Sequence, residues 1–269
     1  MKDESILFLA DLDGTILGGD HRILEPTHKA ILNLQDLGIL FSVATGRSST
    51  CIEQCALPVN CPGVFDNGGA ICQSDGKIIS CFAFSRQELK MLRSLIKRNR
   101  HNITYAFSSS SFSSGYTMLF LNEKNPQAIL KWFGISIGRV APDETNFLKE
   151  MEQGSHRLSL VGDIKDIPPE LNHTTNDSSG VHFHEFTRRG VNKGKGVEIL
   201  AKYLGIPRRR VIIAGNDVND LSMFQLNFGV RIAVGPNCPE EIQRRATHYV
   251  ETMEELPLIL RGLAAKLRR

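Results

Sequence analysis

Residues 6–16 read Ile-Leu-Phe-Leu-Ala-Asp-Leu-Asp-Gly-Thr-Ile, and this stretch decides the fold. Its first five residues form a short apolar run, which is typical of a strand buried on both faces of a parallel sheet. Asp11 and Asp13 follow where that strand leaves the sheet, and Gly14 turns the chain. Two carboxylates this close repel each other unless a cation or a shared proton holds them. The stretch therefore predicts either an ordinary turn or a charged site.

Apolar strands and amphipathic helices alternate through the first and last thirds of the chain. The predicted strands lie at 6–11, 40–45, 211–217 and 230–235, and the predicted helices at 25–37, 194–204, 239–247 and 254–267. This alternation predicts an α/β fold with a parallel, doubly wound sheet.

The middle of the chain has a different pattern, which suggests a small α+β domain inserted between two halves of the first. Predicted strands lie at 102–107, 116–121, 157–161 and 181–186, and predicted helices start at Ser85, Asn125 and Asp143 and end, for the last two, at Gly134 and Gly154. The serine-rich run 108–114 joins the first two strands. We therefore predict a core made of 1–83 and 187–269, with an inserted domain at 84–186.

Composition and charge argue against several classes of protein. The chain has 269 residues, 41% of them hydrophobic and 23% charged, with a net charge of +3. Its dense basic clusters, Arg208–Arg210 and Lys266–Arg269, lack the aromatic interleaving of a nucleic-acid binder. The sequence predicts no signal peptide and no membrane span, because the N-terminal apolar run is short and no run of roughly 20 apolar residues occurs. We expect a cytoplasmic protein with no nucleic-acid or membrane partner; the sequence predicts no oligomeric state.

Cysteine and histidine spacing leaves two minor metal hypotheses open. Cys51 and Cys55 are four residues apart and could share a zinc ion on one helix face, but free thiols in a reducing compartment explain them more simply. His182 and His184 alternate along a predicted strand and could form a metal pair. Their place at a domain edge is the simpler explanation.

Chemically active residues follow the predicted strands at four places. Asp11 with Asp13, Thr45, Lys193 and the run Gly-Asn-Asp-Val-Asn-Asp at 215–220 lie at or beyond the carboxyl ends of strands or at a helix start, where open parallel sheets bind ligands. A carboxylate nucleophile, a second acid, a hydroxyl, an ammonium and Mg²⁺ together suit phosphoryl transfer. Taken singly, Thr45 and Lys193 could equally be an ordinary strand end and a solvated lysine.

The order of these motifs resembles a known family. The motifs DLDGTI (11–16), VATGR (43–47), NKG (192–194) and GNDVND (215–220), with DNGGAI at 66–71, resemble the haloacid dehalogenase-like (HAD) superfamily, and within it the Cof-type sugar-phosphate phosphatases. The resemblance covers nearly the whole chain. It implies a Rossmann-like core and an α/β cap domain between the second and third motifs.

The resemblance also implies roles for single residues. Asp11 matches the nucleophile, which is also a magnesium ligand, and Asp13 matches the acid/base, whose backbone carbonyl meets the metal. Thr45 and the Gly46 amide match the groups that bind phosphoryl oxygen, and Lys193 matches the lysine that steadies nucleophile and phosphate.

The fourth motif departs from the family pattern at one position. Asn219 and Asp220 match its end, as a substrate-binding residue and a metal ligand. Asn216 stands where the family usually has an aspartate that binds the metal directly. The predicted magnesium ligands are therefore Asp11, Asp13, Asn216 and Asp220, and Asp217 could compensate for the amide.

Two further residues have open roles. Arg47 could contact the substrate or be a surface arginine. Asn67 could make a turn or, as in the family, lie near the phosphate. Both are kept as candidate substrate-binding residues.

The sequence thus favours a magnesium-dependent phosphatase that hydrolyses small phosphorylated metabolites, with sugar phosphates as the expected class, through an aspartyl phosphate. A phosphomutase of the same superfamily is the alternative enzyme, and a catalytically silent binding protein on this fold is the alternative from another class. A dehalogenase is disfavoured because Asp13 supplies an acid/base that dehalogenation does not need. An ion-pump domain is excluded because no lysine-threonine pair follows Asp11.

Overall fold

The computed structural model describes residues 5–110, 115–133, 136–178 and 181–267. The chain divides into two compact units. The first consists of Met1–Arg47, Cys51–Ile79 and Asn192–Arg269, and the second of Ser48–Thr50 and Ser80–Val191. The predicted domain boundaries, after residues 83 and 186, stay predictions of the sequence.

The described residues form the following strands and helices. The strands are β1 (Leu7–Ala10), β2 (Leu40–Val43), β3 (Gly63–Phe65), β4 (Ala70–Cys72), β5 (Ile78–Cys81), β6 (Ile103–Ser110), β7 (Tyr116–Phe120), β8 (Ile137–Val140), β9 (Ser155–Gly162), β10 (Asn172–Ser178), β11 (Val181–Thr187), β12 (Val211–Gly215), β13 (Val230–Val234) and β14 (His248–Val250). The helices are α1 (Glu25–Asp36), α2 (Cys51–Gln54), α3 (Arg86–Arg98), α4 (Pro126–Phe133), α5 (Glu144–Met151), α6 (Lys193–Tyr203), α7 (Leu221–Phe224), α8 (Glu240–Arg245) and α9 (Leu256–Leu267).

The first unit is built on a parallel sheet with the strand order β14-β13-β12-β1-β2. Leu7 at the start of β1 pairs with Leu40 of β2 on one side and with Val211 of β12 on the other, both in parallel register. All four residues of β1 are buried, which explains why the strand is continuously apolar. Since the strands run the same way, the residues after β1, β2 and β12 come out at one edge of the sheet. The predicted α/β fold class, a parallel-sheet core with an additional α+β unit, is confirmed.

Helix α6 places Lys193 at its first position. Asn192 caps the helix, because its side-chain oxygen accepts a hydrogen bond of 2.8 Å from the backbone N–H of Lys195. Val197 and Leu200 are fully buried and fix which face of the helix points inward. Among the described residues, no helix combines the length and the apolar character needed to cross a bilayer.

The second unit contains a six-stranded sheet with the order β10-β11-β9-β6-β7-β8. Neighbouring strands in this sheet are antiparallel, except β7 and β8, which run parallel. Leu158 and Leu160 of β9 join a hydrophobic cluster with residues of α3 and α5, whereas Val161 joins an aromatic cluster that includes Phe133 of α4. The alternation along β9 therefore supplies two separate apolar layers.

Several details of the middle region differ from the sequence prediction or lie outside it, and strand β8 is one that the sequence did not predict. Strand β10 was not predicted, because its sequence Asn-His-Thr-Thr-Asn-Asp-Ser carries no apolar alternation and it lies at the edge of the sheet. Ser108, Ser109 and Ser110 belong to β6 rather than to a connection, and the rest of the serine-rich run, 111–114, lies outside the described residues. Gly134, the predicted end of α4, also lies outside them.

His173 on β10 makes the stability of the protein depend on pH. Its ring stacks on His184 and Phe186, and its Nε2 lies 3.1 Å from Nδ1 of His184. Burial, and secondarily His184, lowers the pKa of His173 to about 4. The unfolded chain then binds a proton that the folded one does not, so stability is lost as the pH falls from about 6.5 towards 4.

When the pH falls from 7 to 4.5, the free energy of unfolding should fall less in His173→Gln than in the wild type. We expect a difference of about 1 kcal/mol, which allows for the partial exposure of the ring. Urea denaturation at the two pH values measures the difference. Identical pH dependence in both proteins would contradict the assignment.

Candidate active site

A buried lysine joins two carboxylates at the edge of the parallel sheet. Asp11 follows β1, and its backbone N–H donates to the Ala214 carbonyl of β12. Nζ of Lys193 lies 2.7 Å from Oδ1 of Asp11 and 2.7 Å from Oδ1 of Asp220. The side chains of Lys193 and Asp220 are wholly buried, and Asp11 is nearly so. The three elements β1, α6 and the turn after β12 therefore meet in one ion-paired cluster.

The charges of this cluster shift the pKa of its members. The pKa of Asp11 is raised to about 7, chiefly by burial and next by the Asp220 carboxylate, and Lys193 opposes the shift. Burial lowers the pKa of Lys193, but its two carboxylate partners raise it by more, to above its ordinary value. Lys193 thus stays charged, whereas Asp11 is poised between its two forms near neutral pH. A cation beside Asp11 would favour the carboxylate form.

The hydroxyl of Thr15 links the side chains of Asn216 and Asp11. The Thr15 hydroxyl donates to Oδ1 of Asn216 at 3.0 Å and lies 3.4 Å from Oδ2 of Asp11. The turn between Asp11 and Thr15 requires a glycine, since Gly14 has a φ of +77° and a Cβ there would lie 2.3 Å from Nδ2 of Asn216. The glycine of the first motif therefore makes room for the amide of the fourth.

Asp13 is held by an arginine on its exposed side. Its side chain is 54% exposed, and both oxygens accept hydrogen bonds from Arg47, from Nη2 at 2.5 Å and from Nε at 2.8 Å. The His21 ring lies at the same place, with Nδ1 3.8 Å from Oδ1 of Asp13. This bidentate salt bridge between Arg47 and Asp13, called the fork below, connects the first motif to the second.

The remaining predicted residues surround the turn after β2. The Thr45 hydroxyl accepts a hydrogen bond of 3.1 Å from the backbone N–H of Arg47. Asn67 has a left-handed backbone with φ of 54°, and a Cβ on Gly46 would lie 3.1 Å from its Oδ1. Nδ2 of Asn219 lies 3.5 Å from Oδ1 of Asn67, and the buried Oδ1 of Asn219 has no hydrogen-bond partner among the described residues. Polar groups therefore converge on Gly46.

The oxygen atoms around Asp11 fit a magnesium ion. Oδ2 of Asp11 and Oδ1 of Asn216 both lie within hydrogen-bond distance of the Thr15 hydroxyl, and such hard oxygen donors are the ligands that Mg²⁺ prefers. Within the described ranges, no group of three or more His, Cys, Asp or Glu side chains is arranged to hold a metal. A magnesium site here would thus depend on the Asn216 amide and on backbone oxygen.

Asp217 and Asp220 have other partners. Oδ1 of Asp217 accepts a hydrogen bond of 2.6 Å from the backbone N–H of Val218 and caps the short turn that follows. Oδ2 of Asp220 accepts from the backbone N–H groups of Asn216 and Asp217 at 2.9 and 3.1 Å. Each carboxylate thus organises the loop between β12 and α7.

The structure brings the predicted residues together in the first unit and adds two. Thr15 stands inside the first motif, so its position beside Asp11 could have been noticed from the sequence. His21 could not, because it lies in a connecting loop with a left-handed φ of 60° and no pattern marks it.

The chain is similar to known proteins over most of its length. The family model described as "haloacid dehalogenase-like hydrolase" matches residues 8–257. The phosphatase YwtE of Bacillus subtilis (strain 168), named for 5-amino-6-(5-phospho-D-ribitylamino)uracil, is 25% identical over 270 residues, covering 91% of this chain and 92% of its own. YitU of the same organism, with the same named substrate, is 25% identical over 263 residues, covering 92% and 93%.

Solved structures share the fold over almost the whole chain. BT1666 of Bacteroides thetaiotaomicron, described among phosphatases of the HAD superfamily, superposes with a TM-score of 0.75 at 20% identity, covering 97% of this chain and 96% of its own. BT4131, described as a sugar phosphatase of HAD subclass IIB, has a TM-score of 0.75 at 15% identity, covering 97% and 98%.

Proposed function

The chain belongs to the haloacid dehalogenase-like hydrolases and is an enzyme of that family, and we propose that it is a magnesium-dependent phosphatase acting on small phosphorylated sugars or sugar alcohols. The observation that carries the proposal is the buried ion-paired cluster, in which Asp11 contacts Lys193 beside a second acid, Asp13. The predicted family is confirmed by the match over most of the chain.

Asp11 is the proposed nucleophile. Its carboxylate attacks phosphorus, the bond from phosphorus to the substrate oxygen breaks, and an aspartyl phosphate forms. Lys193 supports this role because its ammonium lies 2.7 Å from Oδ1 of Asp11 and orients the carboxylate. The same cation offsets the negative charge that develops on the phosphoryl oxygens.

Asp13 is the proposed acid and base. It gives a proton to the leaving oxygen in the first step and takes one from the water that hydrolyses the aspartyl phosphate in the second. Its partial exposure supports this role, since solvent and substrate can reach it. Thr45, the Gly46 amide, Asn67 and Asn219 are proposed to bind phosphoryl oxygens.

Magnesium is the proposed cofactor. Asp11, Asn216 and the backbone carbonyl of Asp13 would hold it, and Asp220 would add negative charge and orient the loop. When bound, the ion neutralises charge on the phosphoryl group. The raised pKa of Asp11 supports the proposal, because a neighbouring cation would keep this carboxylate ionised at neutral pH.

The substrate class rests on the relatives. YwtE and YitU act, by their names, on a phosphorylated ribityl compound, and BT4131 is described as a sugar phosphatase, so the proposed substrates carry a phosphate ester on a polyol chain. A cytoplasmic location is part of the proposal, as expected where such metabolites and free thiols occur.

The test is phosphate release from a panel of phosphate esters, with and without Mg²⁺. The panel includes sugar phosphates, 5-amino-6-(5-phospho-D-ribitylamino)uracil and p-nitrophenyl phosphate. Magnesium-dependent release that Asp11→Asn abolishes supports the phosphatase. Isomerised sugar phosphate without release would favour the phosphomutase, and no turnover of any ester would favour the silent binding protein.

Asp13→Asn is expected to lower kcat by about 10²- to 10³-fold, because an amide neither donates a proton to an alkoxide nor accepts one from water. Steady-state kinetics on an alkyl phosphate measure the loss. Because Asp36 is an exposed aspartate at the end of α1, Asp36→Asn serves as the matched control and should leave kcat unchanged. A near-normal kcat for Asp13→Asn would show that Asp13 only shapes the turn.

Asn216→Asp is expected to lower the half-saturating magnesium concentration by about tenfold, since a carboxylate replaces a neutral ligand. Asn216→Ala should raise it. Activity against magnesium concentration, and calorimetric titration of Mg²⁺ without substrate, measure both changes. If Asn216→Ala binds magnesium like the wild type and Asp217→Asn does not, Asp217 is the ligand and the alignment of this motif is wrong by one position.

A further inference from the structure

The guanidinium of Arg47 is fully engaged inside the protein. Nε and Nη2 donate to the two oxygens of Asp13, at 2.8 and 2.5 Å, and Nη2 also lies 2.8 Å from Nδ1 of His21. Nη1 lies 3.5 Å from the sulfur of Cys55. All three nitrogens thus have partners, and two of them form the parallel pair of bonds that fixes a carboxylate in one orientation.

The surroundings of Arg47 fix the arginine as well. Its side chain is only 22% exposed, and its backbone N–H donates to the Thr45 hydroxyl. His21 reaches it from the loop after the first motif, and Cys55 from the residue after α2. An exposed arginine-carboxylate pair contributes little, but a forked pair held from several sides determines the geometry of its carboxylate.

We infer that Arg47 is a positioning residue for Asp13 rather than a ligand of the substrate. The inference rests on the proposed phosphatase function. The fork holds the carboxyl group of Asp13 in place and leaves each oxygen a further lone pair.

This orientation matters most in the second half of the reaction. There the oxygen of a water molecule bonds to phosphorus, the bond between phosphorus and Asp11 breaks, and Asp11 leaves as a carboxylate. One proton of that water passes to Asp13, and Asp13 later gives it to the leaving oxygen of the next substrate. A carboxylate that swings freely is a poorer base, because proton transfer needs hydrogen-bond distance and direction. Loss of Arg47 should therefore slow hydrolysis of the aspartyl phosphate more than its formation.

A role in substrate binding makes different predictions. If Arg47 held the substrate, its removal would raise KM and leave kcat largely intact. It would also weaken the enzyme independently of Asp13, so the two losses would multiply. If Arg47 only positions Asp13, its removal should cause no further loss of kcat in a protein that already lacks the Asp13 carboxylate.

The experiment compares Arg47→Met, Arg47→Lys, Asp13→Asn and the double variant Asp13→Asn/Arg47→Met on p-nitrophenyl phosphate. Arg208→Met is the control, since Arg208 pairs with a single carboxylate, Glu198, on the surface. We expect Arg47→Met to lower kcat by about tenfold with KM changed less than about twofold, and to show a burst of one p-nitrophenol per enzyme. Arg47→Lys should recover part of kcat, because an ammonium replaces the charge but not the fork.

The double variant decides between the two roles. A kcat equal to that of Asp13→Asn supports positioning, provided that the Arg208→Met control matches the wild type. A raised KM with normal kcat in Arg47→Met and Arg47→Lys, or losses that multiply in the double variant, would overturn it. A wild-type protein that hydrolyses no ester would instead overturn the proposed function, and this inference with it. Circular dichroism on each variant separates lost activity from lost fold.

Discussion

Replacing Asp11 by asparagine is expected to lower kcat by at least about 10⁴-fold, the largest effect of any single substitution in the protein. The amide oxygen carries no full negative charge and forms no stable acyl phosphate. Asparagine keeps the size of the side chain, and Lys193 retains Asp220 as its partner. The fold should therefore survive, because the substitution removes a carboxylate whose pKa is raised by burial and so costs free energy when ionised.

Kinetics on p-nitrophenyl phosphate and thermal unfolding at pH 7.5 measure the two parts of this prediction. The melting temperature should equal or exceed that of the wild type. A kcat within about tenfold of the wild type would place the nucleophile elsewhere. A large fall in melting temperature would show that Asp11 is needed for folding, and the kinetic result would then carry no weight for mechanism.

Lys193→Met is expected to have the second-largest effect, on both activity and stability. Nζ of Lys193 is the cation shared by Asp11 and Asp220, and all three groups are buried. Removing it leaves two neighbouring carboxylates without their common partner, so the free energy of unfolding should fall by about 3–5 kcal/mol at pH 8. Loss of the cation at the phosphoryl group and of the orientation of Asp11 should together lower kcat/KM by about 10⁴-fold.

The stability loss should depend on pH in a definite direction. Lys193 lowers the pKa of Asp11, so without it this pKa rises above the value of about 7. A carboxyl whose pKa is higher in the folded than in the unfolded chain stabilises the fold at low pH and loses that contribution as the pH rises. Lys193→Met should therefore be closer to the wild type in urea denaturation at pH 5.5 than at pH 8.

Lys195→Met is the matched control for this prediction. Lys195 lies on the same helix, two residues further on, but is half exposed and pairs with Glu198. Its replacement should change the free energy of unfolding by less than about 0.5 kcal/mol and leave kcat/KM unchanged. Equal losses in the two lysine variants would argue against a special role for Lys193.

Much of the core follows from local pattern. Strands β1, β2, β12 and β13 are short apolar runs, and strand ends at one edge of a parallel sheet must approach one another. That rule was enough to bring Asp11, Lys193 and Asp220 into one predicted site. It could not show that a single ammonium bridges both carboxylates, since this depends on the position of α6 against the sheet.

Other features depend on contacts that no local pattern contains. Strand β10 is polar and lies at the edge of its sheet beside β11, so it has no apolar signature of its own. The fork from Arg47 to Asp13 joins residues 34 positions apart, and the place of His21 depends on the path of a loop. For β10, Arg47 and His21 alike, the role is determined by a tertiary contact, and such a contact exists only in the folded chain.

The most direct test of the central claim is chemical trapping of the intermediate. The wild type is mixed with a phosphate monoester and Mg²⁺, quenched in acid within one turnover, digested and analysed by mass spectrometry, with Asp11→Asn treated in parallel. We predict that the peptide containing Asp11 gains the mass of one phosphoryl group in the wild type and that no peptide does so in the variant. A phosphoryl group on another residue, or turnover by the wild type without any phosphorylated peptide, would contradict the assignment of Asp11 as the nucleophile.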